Sequence, residues 1–137
     1  MYHTIIIVGN VGRDPEMRYT PSGQAVTSFS VASNRSYTGS NGQKVDETIW
    51  FRISAWGKLA ETCNNYLRKG SKVLIEGRLT PGEGGGPRIW NRQDGTPAAS
   101  FEVSANTVRF LSSRNEGGAP AEEGAPDAAA TEEDIPF

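Results

Sequence analysis

Apolar residues alternate with polar ones along most of the first 112 residues, and this patterning then stops. Short segments that repeat every second position, or that are rich in β-branched residues, predict strands. From residue 113, large apolar side chains are absent until Ile135, and Gly, Ala, Pro and Glu dominate. The pattern therefore predicts one domain over residues 1–112, a disordered linker over 113–131 and an acidic tip over 132–137.

Five strands are predicted, and one helix falls between the third strand and the fourth. The strands cover residues 3–8, 25–32, 48–56, 72–79 and 100–111. The first is a nearly continuous β-branched run, which predicts burial on both faces. In the last, the inward positions change from odd to even numbers, which predicts a bulge near Asn106. This order of elements is that of an all-β, five-stranded OB-fold barrel.

The segment 48–56 alternates most clearly. One face carries Ile49, Phe51, Ile53 and Ala55, which is the composition of a core face. The other face carries Thr48, Trp50, Arg52, Ser54 and Trp56. Two tryptophans therefore lie among polar groups on the side of the strand that should meet water.

The segment 58–69 predicts the helix. Its apolar positions recur at helical spacing and comprise Leu59, Cys63, Tyr66 and Leu67. Arg68 and Lys69 are expected in the last turn, with Gly70 as the stop. On this face, Cys63 is expected to be an inert buried thiol.

The charges of the chain are divided unevenly. Residues 1–112 contain 13 Lys and Arg and 9 Asp and Glu, so 13 − 9 gives +4, whereas residues 113–137 contain 1 and 7, so 1 − 7 gives −6. The formal net charge of −2 hides this division. A basic body with an acidic arm is compatible with a nucleic-acid partner.

The exposed aromatic residues are the candidate binding residues. Trp50 and Trp56 are roughly 20 Å apart at about 3.3 Å per residue. Tyr37 and Trp90 lie in hairpins that flank their face, at residues 37–44 and 81–97. Nucleobases stack on such rings without regard to sequence. The cations placed to follow phosphates are Arg35, Arg52, Lys58, Lys69, Arg88 and Arg92.

Other functional classes have little support in the sequence. His3 and Cys63 are the single members of their types, and neither has an evident catalytic partner. No P-loop or metal-ligand spacing is present, so we expect no enzyme activity, no cofactor and no metal. No signal peptide or membrane span is expected either. Three alternatives stay open: an aromatic face for RNA or protein, a nucleic-acid enzyme, and an oligomerisation module with buried tryptophans.

Several motifs together resemble the bacterial single-stranded-DNA-binding proteins. They are residues 7–19 (IVGNVGRDPEMRY), 54–61 (SAWGKLAE), 66–77 (YLRKGSKVLIEG) and 134–137 (DIPF). The resemblance implies homotetramers that bind single-stranded DNA without strong sequence preference in the cytoplasm, on the nucleoid. It also implies that the family's stacking positions fall on Tyr37, Trp50, Trp56 and Trp90.

The same resemblance gives the terminus a role. The tip formed by Asp134, Ile135, Pro136 and Phe137 is expected to dock proteins of DNA replication, recombination and repair. The chain departs from the better-known members in three respects. Tyr37 replaces a tryptophan, residues 82–86 add a Gly-rich insertion, and the linker is short, so that residues 113–137 together have an expected reach of about 25–30 Å.

Overall fold

The computed structural model describes residues 1–112, which form seven strands, one α-helix and one 3₁₀ turn. The strands are β1 (Ile5–Val11), β2 (Glu16–Tyr19), β3 (Ala25–Thr38), β4 (Lys44–Trp56), β5 (Lys72–Thr80), β6 (Arg88–Asn91) and β7 (Pro97–Phe110). The helix α1 is Lys58–Tyr66, and the 3₁₀ turn is Glu83–Gly85.

Five of the strands close into a barrel. Pairing runs from β1 to β5, β7, β4 and β3, and β3 then pairs with β1. The β4–β7 pair is parallel, and the other four pairs are antiparallel. Helix α1 joins the third barrel strand, β4, to the fourth, β5. The predicted five-stranded OB-fold barrel, with its helix at that position, is confirmed.

Two short strands extend this barrel. The strand β2 pairs with β3, and β6 pairs with β7. The strand β2 was not predicted from the sequence, because Glu-Met-Arg-Tyr is four residues long and none of its side chains is fully buried. Its backbone hydrogen bonds to β3, rather than a hydrophobic face, define it as a strand.

The core lies inside the barrel and under α1. It is lined by alternate residues of the barrel strands, including Val31, Ile53, Val73 and Ile75. On β4 the predicted inward face is confirmed for Ile53 and Ala55, which are fully buried. Ile49 is exposed, because this part of β4 continues beyond the barrel as one arm of a hairpin with β3.

Within the described residues of one chain, the first strand is buried on its inner face but not on its outer face, contrary to the prediction. Ile7 and Val11 point into the core, whereas Ile6 and Val8 are exposed on the outside. A barrel strand has one inner and one outer side, and no element of the described chain covers the outer side of β1 here. The β-branched composition predicted the strand correctly but not its environment.

The helix is shorter than predicted. It ends at Tyr66, because Leu67 is already extended, with ψ of 147°. Arg68 and Lys69 therefore lie beyond the last turn, and Tyr66 is exposed rather than packed in the core. Leu67 is buried in the core as expected. Its amide still donates to the Cys63 carbonyl at 3.0 Å, so its backbone stays next to the last turn of the helix.

The bulge predicted near Asn106 is confirmed. Glu76 of β5 faces Thr107, and the next residue, Gly77, faces Ala105. Asn106 is the extra residue between them, so the inward side of β7 changes from odd to even positions.

Candidate nucleic-acid interface

The outer side of β4 carries the two predicted tryptophans. Trp50 and Trp56 expose 55% and 42% of their surface. Across β3, Trp50 pairs with Ala32 and Arg52 with Ser30. Because paired residues point to the same side of a sheet, the neighbours of Trp50 and Arg52 on β3 are small side chains. The Trp50 ring and the Arg52 side chain are therefore flanked on β3 by the small residues Ala32 and Ser30.

Trp90 joins the same side of the sheet. In the parallel β4–β7 pair, Arg52 faces Glu102, and in the β6–β7 pair, Trp90 faces Ala98. Even-numbered residues of β4, of β6 and of β7 up to Ser104, before the bulge, consequently share one surface. Trp90 exposes 44% of its surface there. We call this surface, defined by Trp50, Arg52, Trp56 and Trp90, the aromatic face.

Tyr37 lies on the other side of the β3–β4 hairpin. It pairs with Val45, out of phase with the Ala32–Trp50 pair. The Arg35 guanidinium lies over the Tyr37 ring, 4.5 Å from its centroid. Glu47 accepts a hydrogen bond from the Tyr37 hydroxyl at 3.3 Å and forms an ion pair with Arg35 at 3.6 Å. The structure thus brings Tyr37 and Arg35 together, but apart from the aromatic face.

The other predicted cations are exposed at different places. Arg52 lies in the middle of the aromatic face, and Lys58 begins α1 two residues after Trp56. Arg92 lies in the β6–β7 turn, with bonds to the Thr96 hydroxyl and the Pro97 carbonyl, both at 3.4 Å. Lys69 lies farther along the chain, where its backbone amide bonds to Asp14 at 2.9 Å. Arg52 and Lys58 are therefore the predicted cations nearest to the β4 tryptophans in sequence.

Arg88 is on the aromatic face but is paired with an acid. Its guanidinium lies 3.4 Å from a carboxylate oxygen of Glu102, whose side chain is only 18% exposed. The Ser100 hydroxyl donates to the same oxygen at 3.2 Å. Glu102 also faces Arg52 in the β4–β7 pair, so one carboxylate lies between two cations of the aromatic face.

Sequence reasoning missed two parts of this region. Arg13 and Asp14 line a depression of about 100 Å³ beside Arg52 and Ser30. A second groove, of about 370 Å³, lies between β4 and β7 and includes Trp50, Ile49 and Phe101. Arg13 belongs to the motif of residues 7–19 but is not among the predicted site residues, and Phe101 falls at an odd, inward position of the last predicted strand. The positions of Arg13 and Phe101 beside the aromatic face depend on which strands pair in the barrel, and the sequence pattern does not give this pairing.

The described residues offer little for catalysis. Burial raises the pKa of the Cys63 thiol to about 11, so this thiol is protonated at neutral pH. The His3 ring is exposed, and its Nε2 accepts a hydrogen bond from the Leu79 amide at 3.1 Å. Within residues 1–112, no three His, Cys, Asp or Glu side chains converge as metal ligands. In the same range, no helix has the length and apolarity to cross a membrane.

The fold and the aromatic face together define an OB-fold barrel with exposed tryptophans and arginines on one side. Residues 2–111 match the family model described as the single-strand binding protein family, and the chain belongs to this family. The resemblance noted in the sequence is confirmed.

Two curated relatives and two solved structures illustrate the relationship. The single-stranded DNA-binding protein of Neisseria meningitidis serogroup A is 43% identical over 122 residues, which are 88% of this chain and 67% of the relative. That of Helicobacter hepaticus is 39% identical over 117 residues, 85% of this chain and 65% of the relative. Structures of the Plasmodium falciparum protein in complex with single-stranded DNA and of a small Streptomyces coelicolor protein superpose with TM-scores of 0.67 and 0.66. Each is 25% identical and aligns 82% of this chain with 97% of its own.

Proposed function

We propose that this chain binds single-stranded DNA with little sequence preference. The observation that carries the proposal is the exposure of Trp50, Trp56 and Trp90 on one side of an OB-fold barrel. Membership of the family and the names of the curated relatives support the same ligand. A large exposed indole is unfavourable in water, so three on one surface indicate a partner that covers them.

Base stacking is the interaction that these rings provide. Each base stacked on an aromatic side chain contributes about 1–3 kcal/mol, and every base has a π-face to offer. Trp50, Trp56 and Trp90 would form the main platform, and Tyr37 would take a base where the strand passes the β3–β4 hairpin. Duplex DNA would bind weakly, because its bases are already stacked on each other.

Phosphate neutralisation supplies the second part of the affinity. Arg52 and Lys58 are exposed beside the tryptophans of β4, and Arg88 and Arg92 accompany Trp90. Arg35 and Lys69 would contact the strand as it leaves the aromatic face. Each phosphate neutralised on a single strand should contribute a slope of about −0.7 to log affinity against log salt.

The assembly is proposed to be a homotetramer, as the family resemblance implies. Ile6 and Val8 lie exposed on the outer side of β1, where no element of residues 1–112 covers them. Adjacent exposed apolar side chains on a strand are typical of a protein–protein contact. A second copy of the chain is the partner that the resemblance supplies for this surface.

The acidic tip, Asp134–Phe137, is proposed to recruit proteins of DNA replication, recombination and repair. It lies outside the described residues, so this part rests on its sequence. Two apolar side chains, Ile135 and Phe137, beside a run of acidic residues suit a small apolar pocket with a basic rim. The protein would then protect single strands on the nucleoid in the cytoplasm and act as a binding protein, not as an enzyme.

A titration of intrinsic tryptophan fluorescence with poly-dT tests the proposal. We expect strong quenching by the single strand, weak quenching by a duplex of equal length, and loss of affinity as salt rises. Poly-U as a competitor distinguishes DNA from RNA, and loss of substrate integrity with Mg²⁺ would reveal a nuclease. No quenching by poly-dT, with rings that acrylamide cannot reach, would assign the tryptophans to a subunit contact and overturn the proposal.

A further inference from the structure

The Trp50 ring reaches across β3 to the end of β1. A Cβ placed on Gly12 would lie 2.6 Å from Cζ3 of Trp50 and 3.0 Å from Cη2. These two atoms form the far edge of the six-membered ring. The part of Trp50 that is not exposed to water is therefore covered partly by Gly12, which lies in the connection between β1 and β2.

The path below the ring consists of small residues. Trp50 pairs with Ala32, and the Gly12 amide donates to the Ser30 carbonyl at 2.9 Å. Larger side chains at these positions would lift the indole away from the sheet. Because Gly12 has no side chain, the Trp50 indole can lie along the sheet surface with one face toward these small residues and the opposite face toward solvent.

Backbone conformation does not explain the glycine. Gly12 is not among the glycines with positive φ in the described residues, so an alanine could adopt its backbone. An alanine at position 12 would instead clash with Trp50. Ordinary van der Waals contact begins near 3.4 Å, whereas Cζ3 of Trp50 lies 2.6 Å from the added Cβ. The Ser30 hydroxyl, 2.9 Å from that carbon, can turn away, whereas the indole must move as a rigid plate.

We infer that Gly12 is a positioning residue for DNA binding: it leaves the space that holds the Trp50 indole in its stacking orientation. This inference rests on the proposed function. A methyl group at position 12 would tilt the ring or push it outward. The platform would then lose alignment with the bases, although no group that touches DNA had been removed.

A double-mutant cycle tests the inference. Gly12→Ala is combined with Trp50→Phe, because a phenyl ring has no atoms corresponding to Cζ3 and Cη2 but still stacks. Gly86→Ala is the matched control, since its φ of −94° suits alanine and nothing lies within 4 Å of its added carbon. The measurements are affinity for fluorescein-labelled dT oligonucleotide, acrylamide quenching of the free protein, and the thermal midpoint.

Gly12→Ala should weaken oligo-dT binding about 3- to 10-fold, as expected for one impaired stacking contact. It should also change tryptophan quenching before DNA is added. In the Trp50→Phe background the same substitution should have no effect on affinity or on the thermal midpoint. Gly86→Ala should change none of these quantities.

Two results would overturn the inference. One is an equal loss from Gly12→Ala in both backgrounds, which would mean that the methyl group disturbs β1 rather than the indole. The other is an unchanged affinity and unchanged quenching in the Trp50 protein. If Gly12→Ala alone does not fold, recovery of folding by Trp50→Phe supports the contact, and no recovery contradicts it. A wild-type protein that does not bind oligo-dT would instead reject the proposed function, whatever Gly12 does.

Discussion

At the scale of single residues, the aromatic face contains a carboxylate, that of Glu102, which competes with DNA phosphate for the arginines. Glu102 holds Arg88 at 3.4 Å and faces Arg52 across the β4–β7 pair. A DNA phosphate near Arg88 must displace this carboxylate or accept its repulsion. The arginines predicted to contact phosphate are therefore not equivalent, because Arg88 is already paired with Glu102 in the free protein.

Replacing Glu102 by Gln should strengthen binding to single-stranded DNA. The change removes one negative charge from the aromatic face but keeps the hydrogen-bonding shape of the side chain. We expect a gain of about 0.5–1 kcal/mol at low salt, a few-fold in affinity, which shrinks as salt rises. Titration of oligo-dT at several salt concentrations measures it.

Glu76→Gln is the matched control for this prediction. Glu76 has the same intermediate burial as Glu102 but faces Ile6 in the β1–β5 pair. An equal gain from both variants would mean that only total charge matters. An unchanged affinity in Glu102→Gln would mean that the Arg88–Glu102 pair does not restrain DNA binding.

Alternation along the sequence predicts which residues share a face within one strand, but not which residues meet between strands. Trp50 and Trp56 were found because they lie six positions apart on one strand, so a period of two is enough to place them. The Arg88–Glu102 pair was not predictable, since it depends on the register of β6 against β7. The same holds for Tyr37, which was assigned to a flanking hairpin without the knowledge that its pairing with Val45 turns it away from Trp50.

At the scale of elements, α1 is joined to the barrel by a buried hydrogen bond. The Thr27 hydroxyl, on β3, donates to the Ala60 carbonyl at 2.6 Å, and both residues are fully buried. Leu67 and Cys63 add the apolar part of this contact. Because Trp56 and Lys58 adjoin the start of α1, the helix also fixes one end of the aromatic face.

Thr27→Val should destabilise the fold without weakening DNA binding. The two side chains have nearly the same shape, but the valine leaves part of the Ala60 carbonyl unsatisfied. We expect a loss of about 1–2 kcal/mol in the free energy of unfolding, measured by urea denaturation. Affinity for oligo-dT at temperatures well below unfolding should stay the same.

Thr62→Val provides the comparison on the same helix. The Thr62 hydroxyl donates to the Lys58 carbonyl at 3.1 Å in an exposed position, so water can replace it. Its substitution should change stability little. A loss as large as that of Thr27→Val would attribute the effect to the substitution type and not to the buried contact.

The ends of elements were less predictable than their existence. Helical spacing continues to Leu67, which is buried, although the backbone leaves the helix one residue earlier. The spacing of apolar residues predicts which side chains are buried, not where the helix ends. Leu67 is buried although its backbone is already extended. The bulge at Asn106 was predictable because it reverses the alternation of buried residues, and β2 was not because it buries almost nothing.

At the scale of the whole molecule, charge separates the two parts of the chain. Residues 1–112 carry +4 and residues 113–137 carry −6 by formal count. Screening in salt limits this attraction to about 10 Å at 0.1 M. The reach of about 25–30 Å predicted from the sequence for residues 113–137 would nevertheless let the acidic tip visit the basic body of its own chain.

A protein that ends at Ser113 should therefore bind single-stranded DNA more tightly than the full chain at low salt. Removal of seven acids and one arginine would eliminate a competitor for the cations that are proposed to bind phosphate. We expect a gain of several-fold near 20 mM salt and convergence of the two proteins above about 0.3 M, where the Debye length is short. Parallel oligo-dT titrations of both proteins provide the measurement.

Deletion of Phe137 alone tests the two proposed roles of the tail separately. This variant keeps all acidic residues of the tail, so its DNA affinity should match that of the full chain at every salt concentration. Docking of replication and repair proteins should be lost in the same variant, since the apolar anchor is gone. If removing Phe137 raised DNA affinity as much as truncation at Ser113, competition would depend on the apolar tip and not on charge. If truncation had no effect at low salt, the acidic arm would play no part in DNA binding.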